Sequence, residues 1–317
     1  MFFKGYKVIS NAIASAIVSL LLSCTAFADN KVGIIVPELR APFKIIFDSV
    51  VDGVDESLPQ DAIKLTLNKD YKPADIVNWV QRKNIDSVIT LGGLGKKASL
   101  YVPGNIPIVN GALLSAPNSA NKHPGVALTP DPKALFNLLY RLDATRKKVI
   151  VVYNPSKNQW VVDLAKRQTE ANGVRLVTYK ATDIKQAAII YNEIFTSADL
   201  GTTALWLLQD RKVVDSKVVL PFILEKAWQK KIVGFSSALS HVKKGVLFSK
   251  YPDNELHGQQ LAKLVMSMRT GTGSANNKIY PSTGLQEAIN IRTAEHLGLN
   301  LSRSKLREFD VVFPVSN

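Results

Sequence analysis

The chain has 317 residues, 46% hydrophobic and 21% charged, with 40 Lys and Arg against 26 Asp and Glu for a formal charge of +14. That length suits about two ordinary domains, and the composition excludes both a disordered chain and a multi-span membrane protein. No run of five or more Lys or Arg occurs, so the basic balance reads as a dispersed surface charge, and a nucleic-acid partner is not expected.

The first 28 residues read as an export signal. Lys4 and Lys7 precede an apolar stretch, Ala12 to Leu22, too short for a comfortable spanning helix, and Ala26-Phe27-Ala28 offers an A-x-A cleavage site before Asp29. A periplasmic protein cleaved after Ala28 is expected. Leu21-Leu22-Ser23-Cys24 resembles a lipobox and leaves a lipid anchor on Cys24 as the alternative. Cys24 is the single cysteine, so cleavage after Ala28 leaves no disulfide to support the fold. Cleavage also removes two lysines and no acid, taking the charge from +14 to +12.

From Lys31 the chain alternates short β-like runs with amphipathic helical patterns. Lys31–Val36 is a strand; Phe43, Ile46, Phe47, Val50 and Val54 then recur at helical spacing. Strands follow at 63–67, 87–91, 106–110 and 126–129, with helices from about Pro73 and over 131–142, and a polar loop over 115–125. Pro73 suits a helix start, where its missing N–H had no partner to lose. The pattern restarts beyond Asp143–Arg146: strands at 148–153, 175–179, 204–208, 232–235 and 246–249, and helices from Lys157 and over 183–197, 218–230 and 254–270. A Gly/Ser/Asn stretch, 271–277, precedes a last helix at 291–297 and a strand at 310–313.

Strands apolar on both sides, alternating with helices, predict an α/β protein of two doubly wound parallel-sheet lobes. Ligands of open parallel sheets sit beyond the C-terminal strand ends, so two such lobes facing each other predict a ligand cleft between them. Catalytic signatures are missing: there is no H-E-x-x-H, C-x-x-C or G-x-S-x-G, and His123, His241, His257 and His296 lack metal-ligand spacing. No catalytic residue, metal or cofactor is therefore expected. Leu91-Gly-Gly-Leu-Gly-Lys-Lys hints at a phosphate loop but has Thr90 where the Walker pattern needs glycine. Gly92 and Gly93 read as a tight turn into a helix, with backbone N–H groups free for an anionic group.

Tyr153-Asn-Pro-Ser156, a strand end opening a helix, begins a set of landmarks. It is followed by Leu205–Asp210 (LWLLQD), by Phe235-Ser236-Ser237 with Tyr251–Gly258 (YPDNELHG), and by Ile289-Asn290-Ile291 with Leu297-Gly298-Leu299. In order and spacing this set resembles the ABC-transporter substrate-binding family related to tryptophan- and aromatic-amino-acid-binding proteins. The resemblance implies a type I periplasmic binding fold. Its first lobe would be 31–143 plus 249–278 and its second 144–248 plus 279–317. It also implies that a small polar ligand, an amino acid or small anion, closes the lobes for a membrane permease. A membrane sensor reading the same closure is the alternative partner, and a structural protein with a degenerate cleft a further one.

Candidate ligand-binding residues lie at strand ends. Asn154 and Ser156 offer hydrogen bonds to a ligand, or cap the next helix. Asp210 suits a ligand ammonium, or a salt bridge to Arg211 or Lys212. Ser236 and Ser237 suit a carboxylate, or a turn. Glu38 and Asn110 also end strands, Trp160 lies one turn into the helix after YNPS where it can stack on a ligand, and Trp206 within its strand reads as core. Lys157, Arg211 and the Gly92-Gly93 pair depart from the family pattern and point away from an aromatic amino acid towards a more anionic solute.

Overall fold

A computed structural model describes residues 31–114, 122–170, 174–196, 200–272 and 277–315; the export signal, Cys24 and part of the 115–125 loop lie outside these residues. The first lobe runs β1 (Val32–Pro37), α1 (Phe43–Ser57), β2 (Ile63–Leu67), α2 (Pro73–Lys83), β3 (Ser87–Leu91), α3 (Gly92–Ala98), β4 (Ile108–Leu113) and β5 (Gly125–Pro130). The second runs α4 (Pro132–Leu142), β6 (Lys148–Tyr153), α5 (Pro155–Glu170), β7 (Arg175–Lys180), α6 (Ile184–Thr196), β8 (Thr203–Leu207), α7 (Val219–Gln229), β9 (Val233–Ser236), α8 (Leu239–Lys243) and β10 (Phe248–Pro252). The chain then returns to the first lobe with α9 (Asn254–Arg269) and β11 (Ile279–Ser282). It ends on the second with β12 (Leu285–Asn290), α10 (Ile291–His296), α11 (Arg303–Leu306) and β13 (Val311–Phe313).

Both sheets share one topology. The order β2-β1-β3-β4-β5, extended by β11, recurs as β7-β6-β8-β9-β10, extended by β12 and β13. All pairings are parallel except β10 with β12. Every residue of β3 and of β8 is buried, the mark of strands covered on both faces. Each lobe carries two apolar clusters, one per sheet face: Val50, Val54 and Leu261 in one and Ile76, Trp79 and Val80 in the other for the first lobe. Trp206 is fully buried in the second lobe, edge-on to Phe136.

Local chemistry sets the helix ends. Helix α2 starts on Pro73, carries Asp75 in its first turn and Arg82 and Lys83 in its last, and stops at Asn84 in the left-handed region (φ 55°). Helices α4, α9 and α10 begin on Asp131, Asp253 and Asn290, whose side chains accept the N–H of Lys133, Leu256 and Thr293. Helices α1 and α9 touch backbone to backbone: a Cβ on Gly258 would lie 2.1 Å from the carbonyl oxygen of Val50.

The chain passes between the lobes at Pro130–Pro132, Pro252–Asn254 and Ser282–Leu285. These positions differ from the expected limits of 143, 249 and 278. Leu135, Phe136, Leu138 and Leu139 of α4 share a core cluster with Val161, Trp206 and Phe235, so the first passage precedes α4. Residues 249–252 hydrogen-bond into the second sheet and 279–282 into the first. Polar β11 (IYPS) and β12 (LQEAIN) carry little apolar periodicity, and Pro281 is tolerated because β11 is an edge strand.

Candidate ligand-binding cleft

The C-terminal strand ends of both sheets border one cleft of about 970 Å³, the place where doubly wound sheets hold ligands. The first-lobe wall is apolar: Phe43, Ile46, Phe47, Leu113, Leu114 and Leu128. Phe43 and Leu114 are 59% and 64% exposed, apolar area left open to solvent. The second-lobe wall is polar, with Gln209, Arg211, Ser237 and Ser240. Tyr251, Asp253, Glu255 and Gln286, at the passages between lobes, complete the lining.

Gly92 and Gly93 line the cleft. Gly92 adopts φ +70°, a left-handed backbone that suits glycine. Ser237 lines it too, and its Oγ accepts the indole N–H of Trp206 at 3.2 Å. Five other candidates are spent on contacts within the fold, which corrects the expectation that they face the cleft. Asn110 is 1% exposed, and its Oδ1 accepts the Thr90 hydroxyl at 2.7 Å. Asn154 is buried and caps α5, accepting the N–H and hydroxyl of Ser156 at 3.0 and 2.8 Å; Ser156 is thereby engaged in the cap as well. The Asp210 side chain is fully buried, accepts from Asn158 Nδ2 (3.0 Å) and the Lys212 N–H (2.9 Å), and lies 3.9 Å from Lys157 Nζ. Its cation is thus Lys157, where the sequence offered Arg211 or Lys212. Ser236 is buried, donates to the Leu207 carbonyl at 2.9 Å and meets His241 Nδ1 at 2.8 Å.

Glu38 and Trp160 lie elsewhere. Glu38 is exposed in an adjoining cavity with Arg40, Lys69, Asp70 and Lys97, which meets the cleft at Gly93. Trp160 packs into the second-lobe core and borders a separate space of about 370 Å³ between α5 and β11.

Sequence reasoning missed the apolar wall and a support behind it. Ala112 in the cleft wall has φ 53°, unusual for a residue with a Cβ. Its N–H donates to His257 Nε2 at 3.1 Å, and His257 Nδ1 lies 3.4 Å from the Ser282 hydroxyl on β11. The bond requires a neutral imidazole, and burial pushes the His257 pKa down to about 4. Burial, aided by Lys244, likewise lowers His241 to about 4. Glu255 is raised by the carboxylate of Glu56 beside it. Among the described residues, no group of three or more His, Cys, Asp or Glu is placed to hold a metal, and no helix is long and apolar enough to cross a membrane.

Residues 47–311 match the family of ABC transporter substrate binding proteins. The chain belongs to that family. No curated protein matches it. Among solved structures, this substrate-binding protein is similar to a conserved domain protein from Vibrio cholerae O1 biovar eltor (19% identity, 90% of this chain, 100% of that one, TM-score 0.53). It is similar to an ABC domain in complex with L-Trp from Streptococcus pneumonia (18%, 90% and 100%, 0.55). It also resembles a ligand-free, open substrate binding protein with adhesive properties from Clostridium difficile (16%, 89% and 99%, 0.61). At these identities the likeness is one of fold, the two-lobed type I periplasmic binding fold.

Proposed function

We propose that this protein is the extracytoplasmic solute-binding component of an ABC transport system. A small solute, an amino acid or a small anion, enters the cleft, draws the lobes together and is handed to a membrane permease. The observation that carries the reading is the cleft itself, bordered by both lobes and by the passages between them: a solute touching both walls binds the closed form better and shifts the population towards it. Gly92, Gly93 and Ser237 are the residues singled out in the sequence that would touch it. The L-Trp bound to the streptococcal protein supports the amino-acid option, and Arg211 supports the anion.

Small-angle X-ray scattering of the purified protein, with and without each member of a broad solute panel, tests this. A fall in radius of gyration with one solute class, together with uptake of that class by vesicles carrying the permease, is the expected result. A radius unchanged across the panel defeats it. Export is part of the proposal: mass spectrometry is expected to find an N-terminus at Asp29, against a lipidated Cys24.

A further inference from the structure

We infer that His257 is a positioning residue for the solute: it holds a bulge in β4 that aims Leu113 and Leu114 at the cleft, and it ties that bulge to the passages between the lobes. This inference rests on the reading of the cleft as the solute site, and names the residue that sets the shape of its apolar wall.

The bulge is read from the register. Asn110 pairs with Gly125 and Leu113 with Ala127, so β4 takes three residue steps where β5 takes two. One extra residue bends a strand, is left out of the ladder and re-aims the side chains beyond it. Ala112, inside this bulge, has φ 53°, a left-handed backbone that a residue with a Cβ rarely adopts. Leu113 and Leu114 follow it directly, and both line the cleft. The wall is therefore shaped at Ala112, and a conformation of this kind persists only where its surroundings hold it.

His257 holds it from behind. The Ala112 N–H finds a side-chain acceptor, His257 Nε2, at 3.1 Å. The ring is fully buried, and burial keeps it neutral, which leaves Nε2 free to accept. A Cβ on Gly111 would lie 2.4 Å from Leu261 Cδ1, so β4 rests directly on α9, the helix that carries His257.

The same residue reaches all three passages. Its N–H donates to the Asp253 carbonyl at 2.9 Å. Its Nδ1 lies 3.4 Å from the Ser282 hydroxyl, and the Ser282 carbonyl accepts the Asp131 N–H at 3.2 Å. Asp131, Asp253 and Ser282 stand one in each passage. A rotation of the lobes would thus reach Ala112 through one side chain, and the wall would be set against the solute in step with closure.

Amide exchange by NMR and small-angle scattering, both on the purified protein, test this together. The Ala112 N–H is expected to exchange at least tenfold faster in His257→Leu, and within threefold of the wild-type rate in His257→Gln, whose side-chain carbonyl can accept the same bond. Ala127 and Ala204, fully buried in the two sheets, are expected to stay within threefold of their own rates in both variants. Exchange that quickens equally at all three alanines overturns the inference, because it makes His257 a general support of the fold. Scattering uses the L-amino acids, acetate, succinate and phosphate as probes. The concentration of the closing probe at the midpoint of the fall in radius of gyration is expected to rise at least tenfold in His257→Leu and less than threefold in His257→Gln. Ser282→Ala leaves the Ala112 bond in place, and is expected to keep the Ala112 exchange rate while raising the midpoint at least threefold; it decides the matter where His257→Leu does not fold. A midpoint unmoved in these variants overturns the inference and leaves the receptor reading standing. If no probe closes the wild type, the receptor reading falls, and the solute role of His257 falls with it.

Discussion

Replacing His257 by glutamine should reshape the dependence of stability on pH. The folded His257 titrates near 4, against 6.5 for an ordinary histidine. Between those values the unfolded chain holds the proton and the folded chain does not, so stability rises with pH across this window. The contribution is complete above 6.5 and is lost as pH falls towards 4. A shift of about 2.5 units corresponds to about 3 kcal/mol, or about 1.4 kcal/mol per pH unit inside the window. His241, lowered by burial to about the same value, adds a similar slope. Urea unfolding of the wild type at pH 6, 5.5 and 5, inside that window, should therefore give a slope of about 2 to 3 kcal/mol per unit from these two groups together. Glutamine reaches the Ala112 N–H with a carbonyl oxygen and does not titrate, so His257→Gln should halve that slope. Asp55, raised by burial, and Asp48, Asp143 and Asp215, lowered by their hydrogen-bond donors, are common to both proteins and cancel in the difference. A variant with the wild-type slope would refute the reasoning, because it would mean that His257 is as protonated in the folded chain as in the unfolded one.

Other changes test the assignment of polar groups to structure or to solute. Asp210→Ala strands the Asn158 amide and the Lys212 N–H, and should cost about 2 kcal/mol in urea unfolding while the affinity for whichever solute binds stays within a few-fold. Asn154→Ala removes the cap of α5 and should cost about 1 kcal/mol by the same assay, again with little change in affinity. Gly258→Ala places a methyl 2.1 Å from the Val50 carbonyl, and should lower stability by about 2 kcal/mol or more by prising α1 from α9.

The fold was legible because its signal is repetition. Strands such as SVITL and TALWL are mainly apolar on both faces and alternate with helical stripes, and that pattern survives any detail of packing. The passages between lobes were less legible. Helix α4 has one apolar face whichever lobe it packs on, so periodicity cannot assign it, and β11 and β12 lack a strong apolar pattern. Of the residues chosen at strand ends, Gly92, Gly93 and Ser237 line the cleft, while Asn154 and Asp210 turn inward. A polar residue closing a buried strand has two ways to satisfy its atoms, and Asn154 and Asp210 took the internal one: the next helix and the next loop offered unpaired N–H groups within two residues. Arg211 is the neighbour left outside. The apolar wall escaped because Phe43 and Phe47 look like core residues until the open cleft leaves them partly exposed.

The passages between the lobes are tied to one another. The Asp131 N–H donates to the Ser282 carbonyl, the Asp253 N–H to the Gly284 carbonyl, and Gln286 Nε2 to Asp253 Oδ2. Gln260 of α9 donates to the Pro281 carbonyl and accepts the Thr283 N–H. Prolines at 130, 132, 252 and 281 restrict the backbone there further. The closure proposed above would therefore have little freedom in these segments, and would take the form of a rotation of one packed lobe against the other about a laced axis. His257 joins that axis to the solute wall, since it touches Ser282 on one side and Ala112 on the other. A change that loosens the Ala112 bond would disturb the wall first, because the bond lies where the register of β4 with β5 shifts, between the pairings of Asn110 and Leu113. The same histidine thus ties stability, hinge and cleft together, and a loss of solute affinity in step with its protonation would follow from that placement.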